Sequence, residues 1–332
     1  MKHIRVIAFL LTVCLIFSVN VCAAEQNAYP VTLTDAAGRE VVLDAPPERV
    51  VSGYYISTYL LLVLGQRDKL VGVEAKTASR PIYALAAPEI LDLPNVGSAK
   101  QFDLEGCVSL EPDLVILPLK LRDAADVLQE LGIETLLVNP ESEAELMDML
   151  RLLCKALDVS DPGLEAFYAE KQAKLREILD GASVPQVYLA GNSAYLRTAG
   201  KNMFQNAMLE AGGGCNVATE IRDAGWAEIS YEQLLAWDPE VVLIAAEADY
   251  TAEDLLNDPM LQNLEAVRSG RVYAMPSQLE AWDAPVPGAI LGSLWTASVL
   301  HPDAYPFAEF CADAAEFYRA FYGIEIDEQM LR

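Results

Sequence analysis

The stretches LEGCVSLEPDLVIL (residues 104–117) and YEQLLAWDPEVVLI (residues 231–244) decide how this chain folds. Both have the form E-x6-P-[DE]-[LV]-V: Glu105 stands seven residues before Pro112, and Glu232 seven before Pro239. Each reads as a short helix, a proline–acid turn and a strand. Proline does not continue a helix, and a run of consecutive β-rich apolar residues needs cover on both faces. The surroundings repeat too. RVVS (49–52) leads through GYY to a helix ending in LG, and QVYLA (186–190) leads through GNSAYLRTAGK to one ending in EAGG. Matched spacing in a matched order favours two pseudo-symmetric lobes over a chance likeness of α/β units.

Further strand-like runs are VVLD near 41, LVGV near 70, DLVIL near 113, ETLLV near 134, EVVLI near 240 and RVYAM near 271. Helical patterns separate them, among them DAADVLQELG (123–132) and SEAELMDMLRLLCKALD (142–158), where Ser142 and Glu145 are spaced as a capping box. The alternation implies an α/β fold of two Rossmann-like lobes with mostly parallel sheets. DPGLEAFYAEKQAKLREILDGA (161–182) is opened by Asp161 and Pro162 and closed by Gly181. It is the longest helix candidate and sits mid-chain, where a helix makes a stiffer connector than a flexible linker. The expected organisation is a signal segment at 1–23, an N-terminal lobe at 24–158, a connecting helix at 159–183 and a C-terminal lobe at 184–332. A ligand cleft then lies between the lobes, beyond the carboxyl ends of the strands.

Of the 332 residues 53% are hydrophobic, enough for a large core. Lys2 and Arg5 precede an apolar stretch ending in small residues, the pattern of an export signal cleaved after Ala23. Lipidation at Cys22 is the rival, although Val19-Asn20-Val21 lacks the small residues that usually precede a lipidated cysteine. Without the leader, 21 basic residues face 49 acidic ones, a net charge of −28. Non-specific binding to nucleic acid or anionic lipid needs the opposite sign. Cys107, Cys154, Cys215 and Cys311 are far apart, with no C-x-x-C pair and only His301 as mature histidine, so free thiols are expected and no zinc or other metal site. The single histidine also excludes a His-based triad, and no nucleophile elbow, zincin or P-loop motif is present.

The order of elements, the two Glu motifs and the mid-chain helix resemble the periplasmic-binding-protein family for iron–siderophore, haem and cobalamin uptake, from about Tyr29 to the end. The resemblance implies an exported, periplasmic or surface-held substrate-binding component of an ABC importer. It is expected to be a monomer, with no catalytic activity, no cofactor of its own, and lobes that move little. Its partners would be a metal-chelate ligand and the permease transmembrane subunits. In that family one exposed Glu on each lobe meets arginines of the permease; here the matching positions are Glu105 and Glu232. A favourable helix-dipole position is the plainer explanation of the same two residues, but docking is the role expected of them.

Aromatic and basic residues recur in the loops after the strands, in a chain with few bases. The first lobe offers Tyr54, Tyr55, Lys76, Arg80, Lys100 and Lys120; the second offers Asn192, Tyr195, Arg197, Trp226 and Trp282. Aromatic faces cover a large organic ligand at low entropic cost, and Arg or Lys pairs with its oxyanions. One of Tyr54 and Tyr55 is expected to face the cleft while the other packs beneath its helix. Trp237 and Trp295 have apolar neighbours and read as structural, as do the aromatics from Tyr305 to Tyr322, a packing face against the second lobe. The expected ligand is a ferric siderophore, with cobalamin, haem, or an oxyanion such as molybdate or tungstate as alternatives. An exported carboxylate enzyme, with Glu247 and Asp283 as the pair to inspect, and an adhesion module are the readings from other classes.

Overall fold

The structure is a computed structural model that describes residues 28–223 and 225–332. The expected signal segment and Cys22 therefore lie outside the described residues.

An antiparallel ribbon of β1 (Val31–Thr34) and β2 (Glu40–Leu43) precedes the first lobe. That lobe is built on β3 (Val50–Ser52) and β4 (Leu70–Val73), then, after the small hairpin β5 (Gly97–Ser98) and β6 (Gln101–Phe102), on β7 (Leu114–Pro118) and β8 (Glu134–Val138). Its four strands are parallel in the order β4-β3-β7-β8, with Val50 opposite Leu114 and Val51 opposite Val115. The second lobe has β9 (Gln186–Gly191), β10 (Ala194–Thr198), β11 (Cys215–Asn216), β12 (Ala227–Glu228), β13 (Val241–Ile244) and β14 (Val272–Ala274). Here β11, β9, β13 and β14 are parallel neighbours in that order, which is the arrangement of the first lobe again. The antiparallel pair β10 and β12 is added at the carboxyl end of β9.

The proline–acid motifs do the same work in both lobes. Glu111 and Asp238, each just before the proline, turn the chain with positive φ (49° and 41°). The acid after the proline then reaches back to the first strand of its lobe. Asp113 accepts from the Glu48 and Arg49 backbone N–H groups at 2.8 and 2.9 Å, and Glu240 accepts from Gln186 at 2.9 Å. The acid thus sets the strand register that the sequence motif foreshadows.

The connecting helix spans Leu164–Ile178, with the Asp161 carboxylate accepting from the N–H groups of Gly163, Leu164 and Glu165. At 15 residues it is matched by Glu143–Leu157 and exceeded by the 16-residue helix Phe307–Tyr322, so it is not the longest. The capping box at Ser142 is half realised: Ser142 accepts from Glu145 N–H, while the Glu145 carboxylate takes the N–H of Glu141 instead.

Phe167 of the connecting helix packs at 5.6 Å from Phe317 and 5.5 Å from Phe321. One continuous core runs from Val50 and Leu60 through Leu164 and Tyr168 to Leu294 and Phe317. The C-terminal aromatics thus cement both lobes, not the second alone, because their helix also lies against the first-lobe helix Tyr55–Val63. Charge reinforces the joint. Lys171, 3% exposed, pairs with Asp313 at 3.0 Å and Glu316 at 2.6 Å, and Lys174 with Asp313 at 2.7 Å and Glu309 at 2.9 Å. The Tyr305 hydroxyl also donates to Asp313. The four cysteines among the described residues are free, Cys107 buried and the other three half-buried.

Replacing Asp313 by Ala leaves Lys171 buried without its buried counter-ion. The loss should be about 3 kcal/mol or more of stability, read as a lower urea midpoint at unchanged slope.

Candidate functional site

The parallel sheets direct their carboxyl ends toward a common cleft, and the first lobe supplies its most ordered wall. Tyr54 and Tyr55 follow β3 directly and open the helix Tyr55–Val63. Both are half-buried. Tyr54 is the extended N-cap of that helix and Tyr55 its first helical residue. Their rings meet edge to face at 5.1 Å, and Tyr55 continues to Tyr59 at 6.1 Å and Tyr59 to Tyr83 at 5.1 Å.

Arg80 lies over this ladder, its guanidinium carbon 4.3 Å from the Tyr55 ring centroid and 5.8 Å from that of Tyr59. Behind it stands Glu74, 5% exposed at the end of β4. One Glu74 oxygen accepts from Thr58 Oγ1 at 2.6 Å; the other accepts from the Tyr83 hydroxyl at 3.0 Å and lies 3.4 Å from Arg80 Nε. Burial raises the Glu74 pKa, opposed by the Thr58 bond and the Arg80 charge. Burial also pushes Tyr55 up to about 12 against the pull of Arg80.

The second lobe faces this wall with acids. Glu247, exposed after β13 in a left-handed conformation (φ 57°), and Asp283 both act on the charge of Tyr55, as does Glu141 beyond β8. Asp283 is 6% exposed and accepts from the Ala246 N–H at 3.3 Å. Burial lifts its pKa to about 7, and that of the nearby buried Glu280, which accepts from the Tyr318 hydroxyl at 3.1 Å, to about 8. Trp226 covers the end of β9 so closely that a Cβ on Gly191 would stand 2.9 Å from its ring. Arg197 holds it there, donating from Nη2 to the Trp226 carbonyl at 3.1 Å and from Nη1 to Ser193 Oγ at 2.9 Å. Beside this cluster a crevice of about 220 Å³ opens between Glu141, Ser142 and Glu143 of the first lobe and Lys201, Asn202 and Phe204 of the second. A larger cavity of about 550 Å³, lined by Thr34, Leu119, Met149 and Arg151, belongs to the first lobe alone.

Several residues read from the sequence stand elsewhere. Trp282 is not at the cleft mouth: it is 1% exposed, donates to the Tyr318 hydroxyl at 2.8 Å and packs on Phe310 at 5.6 Å. Its polar sequence neighbours hid the core supplied by the C-terminal helix. Tyr195 turns to the outer flank, where its hydroxyl meets Asp258 at 2.7 Å and Tyr231 at 3.1 Å. Lys76, Lys100, Lys120 and Asn192 are exposed and, among the described residues, make no side-chain bond or ion pair with the tyrosine–Arg80 cluster. Glu74, Tyr59 and Lys201 were not singled out in the sequence. An acid directly after the apolar run LVGV was the available signal for Glu74. Glu105 and Glu232 are exposed in the first turns of equivalent helices, Leu104–Ser109 and Tyr231–Trp237, which Asp103 and Ser230 cap.

The model of a family described as periplasmic binding protein matches residues 50–279. The chain belongs to this family. It is therefore the solute-binding component of an ABC importer, exported from the cytoplasm, and not an enzyme; its ligand is cargo, with no cofactor of its own. Glu247 and Asp283 accordingly have no catalytic duty. The chain is 24% identical over 341 residues to the molybdate-binding protein MolA of Haemophilus influenzae, covering 94% of this chain and 95% of that one. It is 28% identical over 259 residues to a cobalamin-binding protein of Halobacterium salinarum, covering 75% and 68%. A periplasmic solute binding protein from Veillonella parvula shares the fold at a TM-score of 0.78 and 24% identity, over 90% and 95% of the two chains. Among the described residues no helix is long and apolar enough to cross a membrane.

The folded protein keeps protons on Asp283 and Glu280 that the unfolded chain releases above about pH 4. Their contribution is full below that pH and is lost as pH rises toward 7 and 8, at no more than about 1.4 kcal/mol per pH unit for each group. Asp283→Asn and Glu280→Gln should therefore gain on the wild type as pH rises from 5 to 8, in urea unfolding at each pH. A constant difference across that range would refute the assignment.

Proposed function

We propose that this protein captures a bulky, neutral or cationic metal chelate of the corrinoid kind between its lobes and delivers it to the permease. The observation that carries this reading is the charge of the cleft. Its best-placed cation, Arg80, is already paired with Glu74, while Glu141 and Glu247 set negative charge near Tyr55. An anionic ferric siderophore, the ligand expected from the sequence, and an oxyanion both need uncompensated positive charge. A corrinoid offers a broad face for Tyr54, Tyr55 and Trp226 and amide N–H donors for the acids. A relative named as a cobalamin-binding protein agrees with this, whereas the relative named for molybdate covers more of the chain.

Tryptophan fluorescence titrated with cyanocobalamin, haemin, molybdate and a ferric tris-catecholate tests the reading. Cyanocobalamin should give saturable quenching, and Trp226→Ala should weaken it about tenfold, whereas the buried Trp282 reports little. Saturation by molybdate or the catecholate alone would replace the reading by an anion-binding one.

Glu105 and Glu232 form the permease-docking pair of this proposal, with the protein acting as a monomer. Glu105→Arg or Glu232→Arg should reduce ligand uptake by cells at least tenfold while leaving the dissociation constant within about twofold. A parallel loss of ligand affinity would remove them from docking.

A further inference from the structure

Among the described residues Arg80 is the one arginine laid on the tyrosine ladder, yet its charge is not free. It presses a flat guanidinium on Tyr55 at 4.3 Å, and its Nε is buried without a hydrogen-bond partner. Among the described residues the only acid within ion-pair distance is Glu74, at 3.4 Å. Glu74 in turn is fixed from behind. Thr58 Oγ1 donates to it at 2.6 Å, and Thr58 is itself linked to Ser52 Oγ at 2.8 Å; Tyr83 donates at 3.0 Å. Thr58 and Ser52 are 0% exposed, as is Tyr83, so this scaffold is closed to the ligand. Donors on both oxygens mark Glu74 as an acceptor held in one orientation.

Resting on the cleft reading above, we propose that Glu74 is the specificity-determining residue of the site: it holds Arg80 flat on Tyr55 and cancels its charge, so that the cleft rejects anions. Glu74 acts through Arg80 and does not touch the ligand. A glutamine at this position keeps the shape and an acceptor for Thr58 or Tyr83 but removes the charge. Arg80 then presents an uncompensated cation to whatever enters between the lobes, and anions gain what neutral ligands do not.

The test compares wild type, Glu74→Gln and the double variant Glu74→Gln/Arg80→Gln, with molybdate and cyanocobalamin as probes in calorimetric titrations at low salt. The ratio of molybdate to cyanocobalamin affinity should rise at least tenfold in Glu74→Gln and fall back in the double variant. An unchanged ratio, or equal weakening of both probes, would reduce Glu74 to a purely structural residue and overturn the proposal. A second measurement needs no ligand. In wild-type protein the Arg80 Nε–H resonance, assigned with Arg80→Lys, should exchange with solvent at pH 8 far more slowly than those of the exposed Arg122 and Arg268. Exchange as fast as theirs would show that Arg80 is not held, and would overturn the proposal even if no probe binds. If wild type binds neither probe while Arg80 exchanges slowly, the corrinoid reading fails and the positioning of Arg80 stands.

Discussion

The joint between the two sheets of this protein turns on Asp313, which holds two lysines of the connecting helix against the C-terminal helix. Two cations converging on a nearly buried carboxylate are costly to separate, since Asp313 would be left desolvated without either of them. The phenylalanines around that joint add the apolar half of the bond. Residues brought together at the cleft come from distant parts of the chain, Tyr55 and Arg80 from one lobe, Glu247 and Asp283 from the other. Their relative position is inherited from the joint.

Within that frame, burial does more than sequence charge to set the electrostatics. The chain is strongly acidic overall, yet Asp283 and Glu280 hold their protons near neutral pH because desolvation outweighs the hydrogen bonds offered to them. Arg80 keeps its charge in spite of its burial, with the Glu74 carboxylate 3.4 Å from its Nε. A count of basic and acidic residues in the loops is therefore a poor guide to what the cleft attracts.

The fold was legible because the proline–acid motif is a backbone device. Pro112 and Pro239 end helices, and the following acids tie strands, wherever such residues stand between a helix and a buried run. Tyr54 and Tyr55 could be placed from the sequence because they stand close behind a strand, and Arg80 because it lies in the segment that follows one. Trp282 was misread because only tertiary structure brings Phe310 and Tyr318 to it. Tyr195 was misread because β10 folds back on β9, which turns that ring to the flank. Glu74 escaped notice because a lone acid has no sequence pattern; its meaning lies in Thr58, Tyr83 and Arg80 around it.

The core that passes without interruption from one lobe through the connecting helix to the other has a thermodynamic consequence. Each lobe has a further apolar cluster of its own, but the strands that carry it, such as those of Val51 and Val242, also feed the shared core through Val50 and Val241. Heat should remove both in one cooperative transition, with calorimetric and van't Hoff enthalpies in agreement. Cargo held between the lobes then raises the melting temperature of the entire molecule, so that occupancy of a small cleft is communicated to every strand as added stability.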